Sequence, residues 1–264
     1  MNDTTQYGWE IIRFDGDSFS KEKEEIATEF PLTIMLNGEE FATVVCTPTD
    51  IEELLIGILA SEGVIRYTDE INTLHVDKQL GFAYVEIDKP LTEVQHEHSK
   101  RFIGSCCGKS RQFYFKSDVK TAKTIASRLS ITVDQCYDLM KQLQIQSEQF
   151  QRTGGVHNTA LCTPNKIFSI RTDIGRHNAL DKIYGQILQD KIPLHDKLIA
   201  FSGRISSEVL LKISKIGVGI LISKSAPTDL ALKLANDLGI TTIGFVRGNK
   251  MNVYTHPYRI FEVN

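Results

Sequence analysis

The sequence predicts an α/β protein, with an α/β layer domain over residues 126–264 and a smaller α+β domain over residues 1–125. Three observations lead there. In the second half, apolar runs of strand length alternate with amphipathic stretches of about ten residues, the rhythm of βαβ crossovers and a largely parallel sheet. In the first half, two β-rich runs flank Asn37-Gly38 and a helix-period segment follows. The composition, 264 residues with 41% hydrophobic and 24% charged, is that of a globular chain and excludes disordered, collagenous and low-complexity classes.

The elements follow in chain order. About thirty polar, acidic residues come first and end in KEKEEIATEF, whose charge run reads as a solvated face. Phe30 to Leu36 and Glu40 to Thr47 form a hairpin, because Asn-Gly suits a type I′ turn in which both central residues need φ > 0. A helix follows: Thr49 and Glu52 have capping-box spacing, Ile51, Leu54, Leu55, Ile58 and Leu59 share a face, and Gly63 lies where a C-terminal cap belongs. Weaker strands cover 71–77 and 81–88. Residues 95–111 hold no sustained period and read as a loop, at least over Gly104 to Lys109. Thr132 then caps a helix running towards Phe150, with Cys136, Leu139, Met140 and Leu143 on one face.

Beyond residue 150, Thr159–Thr163 and Lys166–Arg171 are strands around the turn signal Pro164-Asn165, and Leu180, Ile183, Tyr184, Ile187 and Leu188 mark an amphipathic helix. Strands at 198–202, 218–223 and 241–246 alternate with helices at 207–215 and 230–238. No internal repeat and no Pro/Gly/Ser-rich linker interrupts the chain.

Several function classes fall away. With 30 basic and 33 acidic residues the net charge is −3, which supplies no field for a nucleic-acid polymer or an anionic membrane, so any phosphate site is local. There is no run of 18 apolar residues, and the first twenty residues lack the basic and apolar regions of a signal peptide. A cytoplasmic protein is expected.

In an open α/β sheet, ligands bind outside the carboxyl ends of the strands. Three such loops share a chemistry: Ser202-Gly203-Arg204-Ile205-Ser206-Ser207, Ser223-Lys224-Ser225-Ala226-Pro227-Thr228 and Phe245-Val246-Arg247-Gly248-Asn249-Lys250. If their strands are neighbours, Arg204, Lys224 and Arg247 converge beside two helix N-termini, which favours a phosphate-bearing ligand. The competing reading is that Ser206, Ser225 and Thr228 simply cap helices. None of the loops is a P-loop or a G-x-G-x-x-G fingerprint.

The five cysteines are no disulfide framework. Cys46, Cys136 and Cys162 sit in apolar settings as core residues do. Cys106 and Cys107 differ: glycines flank them, and Lys100, Arg101, Lys109, Arg111, His96 and His98 surround them in sequence. Nearby positive charge favours thiolate, so the pair reads as nucleophilic. A metal site using His96-Glu97-His98 lacks zinc spacing, and a vicinal disulfide is strained.

Together, Thr153-Gly-Gly-Val-His157, Asp173-Ile-Gly-Arg-His-Asn-Ala-Leu-Asp-Lys182, Ser202-Gly-Arg-Ile-Ser-Ser-Glu208, Ser223–Thr228, Gly244–Gly248 and Asn252-Val-Tyr-Thr-His-Pro257 resemble the FdhD family of formate dehydrogenase accessory sulfurtransferases. Glu29–Leu32 and Ser105–Ser110 fit as well, so the resemblance covers nearly the whole chain. It implies a cytidine-deaminase-like fold for the larger domain. It also implies that sulfur is received from a cysteine desulfurase as a cysteine persulfide and passed to the molybdenum cofactor, bis(molybdopterin guanine dinucleotide), of formate dehydrogenase. Phe245 to Lys250 matches the family's cofactor-binding stretch, whereas Ser202, Gly203, Arg204 and Ser225 come from the sheet argument. The expected partners are a desulfurase, formate dehydrogenase and a second copy of the chain.

Two departures limit the analogy. Deaminase chemistry is not implied, because Asn158 and Thr159 follow His157 and no Pro-Cys-x-x-Cys is present. Family members often carry Cys-x-x-Cys-Gly-Lys, but here Gly104 takes the earlier cysteine position. The persulfide role therefore falls to Cys107, with Cys106 as helper or substitute, and His177 as a proton-transfer or structural residue. The rival functions are a cofactor-binding chaperone that moves no sulfur and a zinc hydrolase. No resident metal is expected.

Overall fold

A computed structural model describes residues 5–88, 101–103 and 122–261. A five-stranded sheet has the order β5-β6-β3-β4-β7, with β3 Phe30–Leu36, β4 Glu39–Cys46, β5 Ile71–Asp77, β6 Phe82–Ile87 and β7 Arg101–Ile103. Its hairpin forms as the turn chemistry dictates, with φ of 47° at Asn37 and 82° at Gly38. Strand alternation sends Leu32, Ile34, Leu36, Ala42, Val44, Cys46, Ala83, Val85 and Ile87 to one face. Helix α1, Ile51–Ser61, covers that face.

The cap of α1 differs from expectation. The residue before the helix is Asp50, in the left-handed region and without a side-chain cap bond. Its carboxylate faces Arg171 at 3.9 Å, and Glu53 pairs with the same guanidinium, so the acidic first turn serves a tertiary ion pair. The other end is as read: Gly63, φ 77°, donates to Ala60 O, and Val64 N to Leu59 O.

A six-stranded sheet has the order β10-β9-β11-β12-β13-β14, with β9 His157–Thr163, β10 Lys166–Asp173, β11 Leu198–Phe201, β12 Ile220–Ser223, β13 Thr241–Arg247 and β14 Lys250–Thr255. It is mixed rather than largely parallel, because only β11–β12 and β12–β13 pair in parallel. The βαβ rhythm reports only those central crossovers, and hairpins add antiparallel strands at both ends. On one face lie α4 Arg176–Gln189, α5 Ser207–Ile216 and α6 Asp229–Leu238.

On the opposite face lies α2, Val133–Ile145, closed by the Thr132/Gln135 capping box. It does not run on to Phe150. The chain breaks at Ser147, whose Oγ bonds back to Leu143 O, and a separate helix α3, Glu148–Thr153, ends at Gly154 with φ 64°. Near the C-terminus, β15 Ile260–Phe261 pairs with β8 Ile131–Thr132, and buried Arg259 donates to Ser127 O, Gly239 O and Thr241 Oγ1.

The two sheets meet through α1 and α4. These helices run antiparallel with backbones in contact: a Cβ on Gly57 would lie 1.8 Å from Asp181 O, and one on Gly185 would lie 1.8 Å from Glu53 O. Both helices are therefore buried nearly all round, and Leu36, Val85, Ile56 and Leu59 share one core with Leu180, Ile183, Leu161 and Phe201. The first thirty residues, read only as a solvated charged stretch, form a separate two-stranded hairpin of β1 Thr5–Phe14 and β2 Phe19–Ala27. Its charges are solvated as expected, and cross-strand pairing with β1 holds the stretch extended.

Cys46, Cys136 and Cys162 are buried, free thiols, as their settings predicted. Burial pushes each up to about 12, which rules them out as thiolate nucleophiles near neutral pH.

Candidate functional site

Because β11, β12 and β13 are neighbours, the loops at their carboxyl ends fall side by side, with adjacent strands about 4.8 Å apart. The loops also bond to one another. Ser223 Oγ donates to Gly203 O at 2.8 Å and Ser225 Oγ to Ser202 O at 3.0 Å. Ile205 N donates to Ala226 O and Thr228 N to Ile205 O, both at 3.0 Å, so the first two loops pair like a short strand bridge. Phe245 N reaches Ser225 O at 3.2 Å, and Arg247 Nε reaches Lys224 O at 3.0 Å.

This wiring decides between the readings of the hydroxyls. Ser206 caps α5 by accepting from Val209 N at 3.4 Å. Ser225 is a strut between loops, and Thr228 begins α6 without a side-chain cap bond. The sulfur-free chemistry of the site is thus cationic: Arg204, Lys224 and Arg247 on a frame of mutually bonded backbone, at the positive ends of α5 and α6.

The stretch Phe245–Lys250 is not a loop feeding a helix. Phe245, Val246 and Arg247 finish β13, Gly248 and Asn249 turn, and Lys250 opens β14. The ladder is irregular between Gly244 and Arg247, and Phe245 takes φ 54°, a conformation a bulky side chain adopts only under outside constraint. The constraint is visible at Gly244, where a Cβ would lie 3.0 Å from Ser225 O. The bulge turns the Phe245 ring outwards, with the Arg247 guanidinium 5.9 Å from its centroid. Val246 points the other way into the core beside Ala200, Ile222 and Ile243, so only its backbone faces the site.

Residues not singled out as binding groups complete the rim. Gly203 is hemmed in, since a Cβ there would lie 2.8 Å from the Phe201 ring and 3.2 Å from Arg176 Cβ, which brings the start of α4 against the first loop. His157 Nδ1 lies 3.5 Å from Ser202 Oγ, and Ser202 Oγ accepts from Asn158 N at 2.9 Å. Burial, helped by the Arg176 guanidinium, holds His157 below its ordinary value of 6.5 despite Asp173 nearby. His177 Nε2 is 3.2 Å from Glu208 Oε2, tying α4 to α5. The Gly-Arg-His run at a helix start was the available signal for Arg176.

Behind the rim, a buried network sets the β10–α4 turn. Lys182 Nζ lies 2.8 Å from Asp173 Oδ2, both fully buried, and donates to Thr47 Oγ1 at 2.8 Å and Thr172 O at 3.0 Å. Asp173 Oδ2 accepts from Thr47 N at 3.0 Å, and Oδ1 from Gly175 N at 2.8 Å and Asn178 Nδ2 at 2.9 Å. Asn178 Nδ2 also donates to Val45 O at 2.9 Å. Asp173, Asn178 and Lys182 therefore fasten the two sheets together and fix the turn that leads into Arg176.

Cys106 and Cys107, with His96, His98, Lys100, Lys109 and Arg111, lie outside the described residues. The chain approaches that segment through β7, whose Ile103 pairs with Val44, next to the Val45 carbonyl held by Asn178. Among the described residues no group of three or more His, Cys, Asp or Glu is placed to hold a metal ion, and no helix is long and apolar enough to cross a membrane.

Comparison with known proteins supplies the rest. The model of the FdhD/NarQ family matches residues 27–261. A Bacillus subtilis protein named sulfur carrier protein FdhD is 57% identical over 262 residues, 99% of this chain and 100% of that one. The protein of that name from Staphylococcus aureus strain MRSA252 is 51% identical over 99% of both chains. Among solved structures, that of "a putative formate dehydrogenase accessory protein" from Desulfotalea psychrophila superposes with a TM-score of 0.78 at 25% identity, covering 98% of this chain and 100% of the other.

Proposed function

The chain belongs to the FdhD/NarQ family, and from that premise we propose that it is a sulfurtransferase in the maturation of formate dehydrogenase. It accepts sulfur from a cysteine desulfurase as a persulfide and delivers it to the molybdenum cofactor, the bis(molybdopterin guanine dinucleotide) form, which it binds as substrate. Its kinship with proteins named as sulfur carriers supports the sulfur half. One observation carries the binding half: three hydrogen-bonded loops put Arg204, Lys224 and Arg247 at the ends of three adjacent strands.

In loading, the Cys107 thiolate attacks the outer sulfur of the donor persulfide. The S–S bond breaks, the inner sulfur leaves as the donor's thiolate, and the outer sulfur stays on Cys107. Lys109 and Arg111 favour the thiolate, and Cys106 is the neighbouring helper. On the substrate side, the phosphates of a guanine dinucleotide arm sit against the loop cations and helix N-termini, with the outward Phe245 ring beside them. His157, held below its ordinary value by burial, lies at the same rim beside Ser202. The larger domain is read as cytidine-deaminase-like from the family resemblance, without deaminase chemistry, and the protein as cytoplasmic.

The test has two arms. Desulfurase-driven loading with labelled sulfur should fail in Cys107→Ala and persist in Cys106→Ala; full retention in Cys107→Ala refutes the assignment. Guanosine diphosphate should bind Arg204→Ala and Arg247→Ala about 10- to 100-fold more weakly, the loss of one charge-assisted hydrogen bond of about 1.5–3 kcal/mol. Intact binding and full formate dehydrogenase activity with both cysteines replaced would make the protein a chaperone that moves no sulfur.

A further inference from the structure

The backbone is pinned on both sides of Arg204 and on both sides of Lys224. Gly203 O, in the peptide before Arg204, accepts from Ser223 Oγ at 2.8 Å, and Ile205 N, in the peptide after it, donates to Ala226 O at 3.0 Å. Lys224 N donates to Phe201 O at 3.2 Å, and in the peptide after Lys224, Ser225 N donates to Ser223 Oγ at 3.0 Å. Peptide groups are planar, so pinning the two that flank a residue fixes its φ and ψ and the place of its Cα. One hydroxyl takes part at both cations. Ser223 Oγ donates to the peptide before Arg204 and accepts from the peptide after Lys224. That second peptide also presents Lys224 O to Arg247 Nε at 3.0 Å, which ties the third cation to the same plane. Ser223 itself is fully buried at the end of β12, opposite Phe201.

We propose that Ser223 is the positioning residue that sets the spacing of Arg204 and Lys224, and that this spacing selects a ligand with two linked phosphates over one with a single phosphate. The proposal rests on the reading of these loops as a phosphate site. Two cations at the ends of adjacent strands offer charge at two neighbouring points. A single phosphate group is served by one of them, whereas a diphosphate presents a charged group to each. Hydrogen bonds weaken steeply as distance and angle depart from the optimum, so what the second phosphate gains depends on the spacing of the cations.

Nothing else in this arrangement can stand in for the hydroxyl. Gly203 is buried with Ser223, so no water reaches the carbonyl that the hydroxyl leaves. Gly203 is also packed against the Phe201 ring, where even a Cβ would lie 2.8 Å away, so its peptide has no slack on that side. Removing the hydroxyl leaves Gly203 O and Ser225 N without this partner, and the two loops must re-seat.

The test compares guanosine diphosphate with guanosine monophosphate on the full chain by isothermal titration calorimetry, so that the base and sugar cancel. The parent should bind the diphosphate about 10-fold or more tightly than the monophosphate, the value of one further charge-assisted hydrogen bond. In Ser223→Ala that preference should collapse towards equality, with the monophosphate constant within about twofold of the parent's. Ser223→Cys fills the same space with a weak donor and acceptor, and should lose the preference while keeping the packing. Unchanged circular dichroism checks the fold of both variants. A serine that served stability alone would lower the urea midpoint and leave the ratio of the two constants where it was. Variants that keep the parent's preference, or a parent that binds both nucleotides equally, overturn the proposal and leave the phosphate site standing. A parent that binds neither nucleotide overturns the phosphate site and the proposal together.

Discussion

Replacing Lys182 with methionine tests the buried network behind the rim of the candidate site. The side chain is fully buried, so no water takes its place when the ammonium is lost. The change leaves the Asp173 carboxylate without its counter-ion at 2.8 Å and removes the donors to Thr47 Oγ1 and Thr172 O. Breaking a buried pair from one side costs about 3–5 kcal/mol, because the remaining charge stays buried. With a urea slope of about 3 kcal/mol per molar, the unfolding midpoint should fall by about 1–2 M. The double variant Asp173→Asn/Lys182→Met removes both charges and keeps the volume, and should recover to within about 2 kcal/mol of the parent. Equilibrium urea unfolding of the four proteins closes the cycle. A single-variant loss below about 1 kcal/mol, or a double variant no better than the single, would refute the ion-pair reasoning.

Gly57→Ala should destabilise by about 2–3 kcal/mol in the same assay, because its methyl lands on the Asp181 carbonyl; a gain, as helix propensity alone predicts, would show that α1 and α4 separate freely. His157 contributes a pH dependence of known sign. Its folded value lies below the ordinary 6.5, so the unfolded chain takes up the proton first and stability falls as pH drops through about 6.5. The difference in urea midpoint between pH 7.5 and 5.5 should shrink in His157→Asn, and an unchanged difference would contradict burial as the cause.

What could be read from the chain followed from local chemistry. Asn37-Gly38, the Thr132 cap and the strand–helix alternation after residue 198 each depend on residues a few positions apart, and each element is where they put it. Strand order is a long-range property: nothing in Lys250–Thr255 says that it returns beside β13, and so Phe245–Lys250 read as a loop. The Glu53–Arg171 pair spans 118 residues, so its hold on the start of α1 could not be read locally, and the helix begins after Asp50 without the capping bond that the Thr49/Glu52 spacing suggested. The β1–β2 ribbon was not legible because Ser20 to Glu25 are polar at every position and so show no apolar period of either kind. Of the site, the three cationic loops were legible because each lies at a strand end. The part played by Asp173, Asn178 and Lys182 was not, because their partners Val45 and Thr47 sit in the other sheet.

The glycine contact between α1 and α4 sets how the molecule can move. Domain closure needs a hinge that rotates or helices that slide past one another, and interdigitated side chains permit small shear. Here each backbone fills the notch left by a missing Cβ on its neighbour, at Gly57 and at Gly185, so sliding by even one residue drives a carbonyl into a side chain. The edge of the five-stranded sheet that carries β7 and the strand ends that carry the three cationic loops are therefore held at constant separation. Any ligand held by those loops therefore meets a rigid frame rather than a clamp that shuts on it.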